Sequence, residues 1–195
     1  MVHSVPHHPL LIAPSDWAEP VIRVSDDGSP ALFTLQDAFN YHGYDAPGGV
    51  VLGFRLLQRA FALLAPDSAY PERKKLSLFT SFPGLGLKDT MELVTRMVTE
   101  GRYCVDSSYC DPRAQEGVAG RFYYRFTLTS SAAGTPATVE LAPVEGYPSP
   151  EFIRLGKASK RPGFSAADAE AWKTAKFSLA NTLLGAPAEA LVRVL

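Results

Sequence analysis

Tyr41-His42-Gly43-Tyr44-Asp45-Ala46-Pro47-Gly48-Gly49 leads without a break into the apolar run Val50-Val51-Leu52-Gly53-Phe54-Arg55-Leu56-Leu57 and on to Leu64. A proline's fixed φ suits the first turn of a helix, where its missing N–H is not needed, so a helix is expected to begin at Pro47. Val50, Phe54, Leu57, Phe61 and Leu64 recur at steps of three and four, which gives that helix a buried face. Val51, Leu52, Leu56 and Leu63 widen the apolar surface beyond one stripe and place the helix at the centre of the fold. Gly49 and Gly53 sit four apart, a spacing that favours close packing against a strand or helix over contact with a ligand. Just upstream, a histidine, a tyrosine and an aspartate stand at the helix mouth among glycines that let a ligand approach backbone N–H groups, the pattern of a binding turn.

Working outward, residues 1–20 hold several prolines and no steady periodicity, so they are expected to form an extended arm that packs across another element or another copy of the chain. Residues 21–24 and 32–33 flank Asp26-Asp27-Gly28-Ser29 and predict a hairpin. Thr34 can cap a helix over 35–41 that delivers His42. Past the central helix, 75–80 is a strand candidate, and a turn rich in Gly and Pro leads to a helix over 87–100 capped by Gly101. Residues 121–129 alternate aromatic and polar side chains and predict a strand that pairs with 138–141. Helices over 150–155 and 166–184 follow, the second opened by Ser165 with Asp168 and stopped by Gly185, with one more turn over 187–192. That order predicts an α+β fold over 21–195, a mixed or antiparallel sheet packed against helices, preceded by the arm.

The composition excludes several classes. Hydrophobic residues make up 46% of the 195, charged residues 20%, and the net charge is -1, all ordinary for a globular chain. Basic residues are scattered, clustering only at 73–75 and 157–161, so no nucleic-acid partner is expected. Arg55, Gln58 and Arg59 interrupt the most apolar stretch, so no membrane span is expected either. The first fifteen residues lack the charged start and apolar run of a signal peptide, which makes the cytoplasm the expected location. Cys104 and Cys110 fit neither a zinc ribbon nor a Cys-x-x-Cys turn, leaving free thiols, a local disulfide or a shared metal as readings.

Three functional readings follow from these residues. In the first, His42, Tyr44 and Asp45 form a pocket for a small molecule or metal. The Gly48 turn offers N–H groups to an anion, and Arg55 pairs with a carboxylate or phosphate, though it could equally pair with a carboxylate of the protein. A metal such as zinc or nickel would be held by His42 with Cys104 and Cys110, helped by Asp106, Asp111 or the clustered His3, His7 and His8. His42 could also be a satisfied histidine closing its helix. The second reading is an enzyme with His42 as general base, Tyr44 as proton donor and Arg55 as clamp on an acidic substrate. No serine elbow, phosphate loop, zinc-protease motif or dinucleotide fingerprint accompanies them. The third is a non-catalytic accessory protein of a redox enzyme, with the arm and the aromatics of 122–126 as a dimer interface unless those rings pack under the helices.

These residues resemble the formylmethanofuran dehydrogenase E-subunit-like family, whose members carry Phe-His-Gly-His-x-Cys-Pro-Gly and then Gly-x-Arg. The corresponding residues here are Tyr41-His42-Gly43-Tyr44-Asp45-Ala46-Pro47-Gly48 and Gly53-Phe54-Arg55. His42 matches the first histidine, Tyr44 stands in place of the second, and Ala46 in place of the cysteine. Asp89, Gly53 and Arg55 are matched, which adds Asp89 to the candidate ligand-binding residues. The resemblance implies an α+β core domain over roughly 35–194, a homodimer, an ancestral metal pocket and a link to methanogenesis-related redox enzymes. Some members add a C-terminal zinc finger with four cysteines, whereas no cysteine follows Cys110 here.

Overall fold

Asp27 and Gly28 both adopt positive φ, 51° and 85°. They thereby close a two-residue turn between strands Val21–Asp26 (β1) and Ser29–Thr34 (β2), paired antiparallel from Asp26↔Ser29 to Val21↔Thr34. The structure, a computed structural model, describes residues 8–14, 18–129 and 136–195. Thr34 ends the hairpin and starts helix Leu35–His42 (α1) with a full capping box, its side chain accepting from the Asp37 N–H while the Asp37 carboxylate accepts from the Thr34 N–H. Gly43, at φ 84°, turns the chain out of α1, and its N–H donates to the Phe39 carbonyl. The central helix runs Pro47–Leu64 (α2), opening at the proline as its chemistry predicts.

Beyond α2 the chain alternates. Leu76–Thr80 (β3) leads to Leu85–Thr95 (α3), Tyr103–Val105 (β4), Tyr124–Leu128 (β5) and Ala137–Pro143 (β6). Helices Pro150–Ala158 (α4), Ala166–Leu184 (α5) and Ala188–Leu191 (α6) precede the strand Val192–Val194 (β7). The five-stranded sheet has the order β4-β3-β5-β6-β7, with β3 and β4 parallel across α3 and every other pair antiparallel. This is the expected α+β domain with a mixed sheet. Strands β4 and β7 were not expected, and α3 stops at Thr95 rather than near residue 100. There Arg96 turns left-handed at φ 56°, and the Glu92 carboxylate accepts from the Val98 and Thr99 N–H groups, so Met97 and Val98 continue the apolar period without continuing the helix.

Sheet register divides the side chains into two faces. Leu78 lies opposite both Tyr103 and Phe126, a row facing the helices in which Leu78 and Phe126 are buried and Tyr103 partly so, whereas Phe79 lies opposite Cys104 and Arg125 on the other side. Phe122, Tyr124 and Phe126 are all buried in the core, so these rings pack under the helices. On the helical side α2 packs against both α3 and α5, and glycines set the α2–α3 distance. A Cβ on Gly86 would stand 2.8 Å from the Ala46 carbonyl oxygen and 2.9 Å from the Val50 nitrogen. Gly53 abuts Thr90 and the Leu87 backbone, so Gly49 and Gly53 serve helix packing, as their spacing suggests. The described part of the arm lies on α5, where Asn181 bonds both the Ile12 N–H and the Leu10 carbonyl and Leu11 is buried. Among the described residues no helix is long and apolar enough to cross a membrane.

Candidate ligand site

His42 is the last residue of α1, and Asp89 lies on the second turn of α3, the helix that α1 packs against. The two side chains meet with His42 Nδ1 2.7 Å from Asp89 Oδ2, the histidine side chain 8% exposed and the aspartate 37%. A carboxylate only accepts hydrogen bonds, so the Nδ1 atom carries the proton and, in the neutral ring, Nε2 is left as an acceptor. That Nε2 atom is buried and has no partner among the described residues. Leaving such a group unsatisfied costs about 1–3 kcal/mol, so a native fold that does so has either a use or an occupant for it.

Two tyrosines extend the polar interior. Tyr103 on β4 and Tyr124 on β5 both bury hydroxyls that have no partner among the described residues. Burial first, and the nearby Asp89 charge second, push the Tyr103 phenol up to about 12. Burial, reinforced by Tyr103, pushes Tyr124 well above its ordinary value. Both phenols therefore stay protonated and able to donate. Neither was a candidate in the sequence: Tyr103 sits on a three-residue strand with no alternation to reveal it, and Tyr124 reads as one core aromatic among several.

The other expected site residues go elsewhere. Tyr44 stacks on Phe39, with centroids 5.0 Å apart, and beneath His8, and its hydroxyl accepts a long bond from Gln36 Nε2. It is a packing aromatic between arm and core. Asp45 is exposed, and its backbone carbonyl accepts from Lys176 Nζ at 2.7 Å. Gly48 is buried against Leu179, whose Cδ2 stands 2.8 Å from where a Cβ would be, so the helix mouth is stoppered by α5 and offers no open N–H cradle.

Arg55 is buried too. Its Nε atom donates to the Leu183 carbonyl at 3.3 Å, one amino group to the Leu184 carbonyl at 3.2 Å and the other to Gln58 Oε1 at 3.0 Å. Burial lowers its pKa and the Glu189 charge partly restores it. Instead of clamping an anion, Arg55 caps the C-terminus of α5, whose last carbonyls lack helical partners. Of the six candidate ligand-binding residues, only His42 and Asp89 meet.

The expected metal ligands do not converge. Cys104 and Cys110 are free and exposed thiols, the former on the sheet face turned away from the helices. Among the described residues the only group of three or more His, Cys, Asp or Glu with ligand atoms within 4.8 Å of one another is Asp26, Asp27 and Glu72. Lys74 already pairs with the first two of these, and Ser25 with the third. One imidazole is not a zinc or nickel site, so the donor set at His42 does not fit such a metal. His8 stacks on Phe177, while His3 and His7 lie outside the described residues. Fold and site together define an α+β domain with a carboxylate-oriented histidine in its interior. Set against protein-family models, curated proteins and solved structures, the chain matches none.

Proposed function

We propose that the protein binds a small polar molecule at His42. One observation carries the reading: Asp89 fixes Nδ1 at 2.7 Å while Nε2 is buried with no partner. The fixed tautomer leaves a buried lone pair on Nε2, suited to a ligand hydroxyl, amide or protonated acid. The Tyr103 hydroxyl, under the influence of the same carboxylate, supplies a donor. Kinship with the formylmethanofuran dehydrogenase E-subunit-like proteins is part of this proposal, supported by the residues 41–48 and by Gly53-x-Arg55. A cytoplasmic location also belongs to it, supported by two thiols left unpaired.

Native mass spectrometry of the purified protein tests the reading beside the ¹⁵N resonances of His42 during titration with acetate, glycerol and acetamide. A bound species lost in His42→Ala, or a saturable Nε2 shift with one probe, supports it. Bare protein in both forms together with an Nε2 resonance indifferent to all three probes sinks it.

A second reading shares the same atom. A carboxylate that orients an imidazole through Nδ1 also prepares Nε2 as a general base, so proton abstraction from the bound molecule is the chemistry the pair could add. Tyr103, whose buried hydroxyl has no partner among the described residues, is then the hydroxyl donor in place of Tyr44, whose hydroxyl bonds Gln36.

A further inference from the structure

Arg113, Arg121 and Arg193 line a single cleft of about 370 Å³, with Gln115 beside them and Glu145 at the exposed lip. Arg193 projects from β7 opposite Ala142, on the sheet face that carries Glu140 and Arg125, away from His42. The three guanidinium groups are not equivalent. Arg113 is neutralised twice over, its NH2 group lying 2.6 Å from both Asp111 Oδ2 and Glu140 Oε2. Arg121 and Arg193 have no carboxylate within ion-pair reach among the described residues; Asp111 and Glu116 feel the Arg121 charge only at longer range.

Both unpaired groups are nevertheless held in place. Arg121 donates from Nε to Cys110 Sγ at 3.0 Å and from NH1 to the Ala114 carbonyl at 2.6 Å. Arg193 donates from NH2 to the Arg113 carbonyl at 2.6 Å, and its Nε–H is buried with no acceptor among the described residues. Fixing a guanidinium through backbone carbonyls leaves its charge uncancelled and its remaining N–H groups oriented. Two such groups beside one cleft, one of them with a stranded donor, form an incomplete electrostatic arrangement.

We propose that this cleft is a second binding site, for a small oxyanion carried as a phosphate monoester or a carboxylate. The N–H groups of Arg121 and Arg193 that these bonds leave over can meet the oxygens of either group. Glu145 lines the same cleft at an exposed position, and its negative charge opposes the incoming anion, which keeps binding reversible.

Amide shifts of the full chain titrated with inorganic phosphate and, separately, with succinate test the proposal and distinguish a tetrahedral from a planar anion. Saturable shifts concentrated at Arg113, Gln115, Arg121 and Arg193 with either probe support it. Shifts there no larger than at the exposed Lys173 overturn it. Arg193→Met is expected to weaken binding about tenfold, the loss of one charge-assisted bond. Because that change also removes the bond to the Arg113 carbonyl, Glu145→Gln provides the independent check on an exposed side chain. It should tighten binding severalfold, and unchanged or weaker affinity in that variant overturns the proposal. His42→Ala should leave phosphate binding intact, so failure here is separable from failure at the His42 site.

Discussion

Replacing Gly86 by alanine tests the contact that positions the candidate site. The added methyl would meet the Ala46 carbonyl oxygen at 2.8 Å, the Val50 nitrogen at 2.9 Å and the Gly49 carbonyl carbon at 3.2 Å. All three are backbone atoms, so no side chain can swing aside, and α3 must move away from α2. Overpacking of this kind costs roughly 1–3 kcal/mol. At roughly 2–4 °C per kcal/mol for a chain of this length, the melting temperature should fall by about 2–12 °C.

Gly49→Ala is the matched control, because its methyl would find nothing nearer than 3.5 Å, an ordinary contact. Alanine also favours a helix over glycine by up to about 1 kcal/mol, so this variant should be neutral or slightly more stable. Since α3 carries Asp89, the Gly86 variant should also loosen the His42–Asp89 bond, visible as faster exchange of the His42 Nδ1 proton. Reversible thermal and urea unfolding of both variants decides the matter. Equal stabilities, or a Gly49 variant as damaged as the Gly86 one, would refute the argument that the α2–α3 spacing is set at Gly86.

Further outcomes follow from the same contacts. Arg55→Met strands the Leu183 and Leu184 carbonyls at the end of α5 and should cost about 1–3 kcal/mol in urea unfolding, with no effect on a ligand at His42. Tyr124→Phe removes a buried hydroxyl that has no protein partner, so it should be neutral or stabilise by about 1 kcal/mol; a clear loss would show that something occupies the interior beside it. Hydrogen bonds from Arg113 to Asp111, and from Tyr123 and then Arg113 to Glu140, hold both carboxyls below their ordinary values of 3.8 and 4.5. The unfolded chain therefore binds more protons than the native one as pH falls. The stability these groups contribute is complete above those values and lost below them. Melting curves between about pH 6 and pH 3 should show a fall that becomes shallower in Glu140→Gln. A thiol-reactive dye should titrate both Cys104 and Cys110 in the folded protein, since both are free and exposed.

Much of the architecture was legible because single residues fixed its boundaries. Pro47 opens α2, Thr34 with Asp37 opens α1, Asp27-Gly28 closes the hairpin and Ser165 opens α5. Signals of this kind act over a few residues and need no tertiary partner. The short strands β4 and β7 exist only because β3 and β6 offer unpaired edges, and three residues carry no period to read. At the site, His42 and Asp89 were named, but Arg55 was assigned to a ligand or, equally, to a carboxylate of the protein, when its two carbonyl partners lie nearly 130 residues further along the chain. A buried arginine and an anion clamp look alike in sequence, because both are cations within an apolar helix. The glycines before and within α2 were similarly ambiguous at Gly48, where close approach serves Leu179 of the same chain.

The two strands at the margins of the five-stranded sheet, β4 and β7, are its shortest, three residues each against five to seven for those between them. A bare sheet margin is a template on which another polypeptide can crystallise as an extra strand, and its hazard grows with the length of the exposed ladder. Here a foreign strand would find only a few backbone groups to grip on either side. The short margins of the five-stranded sheet thus limit the ladder that they offer to amyloid-like growth.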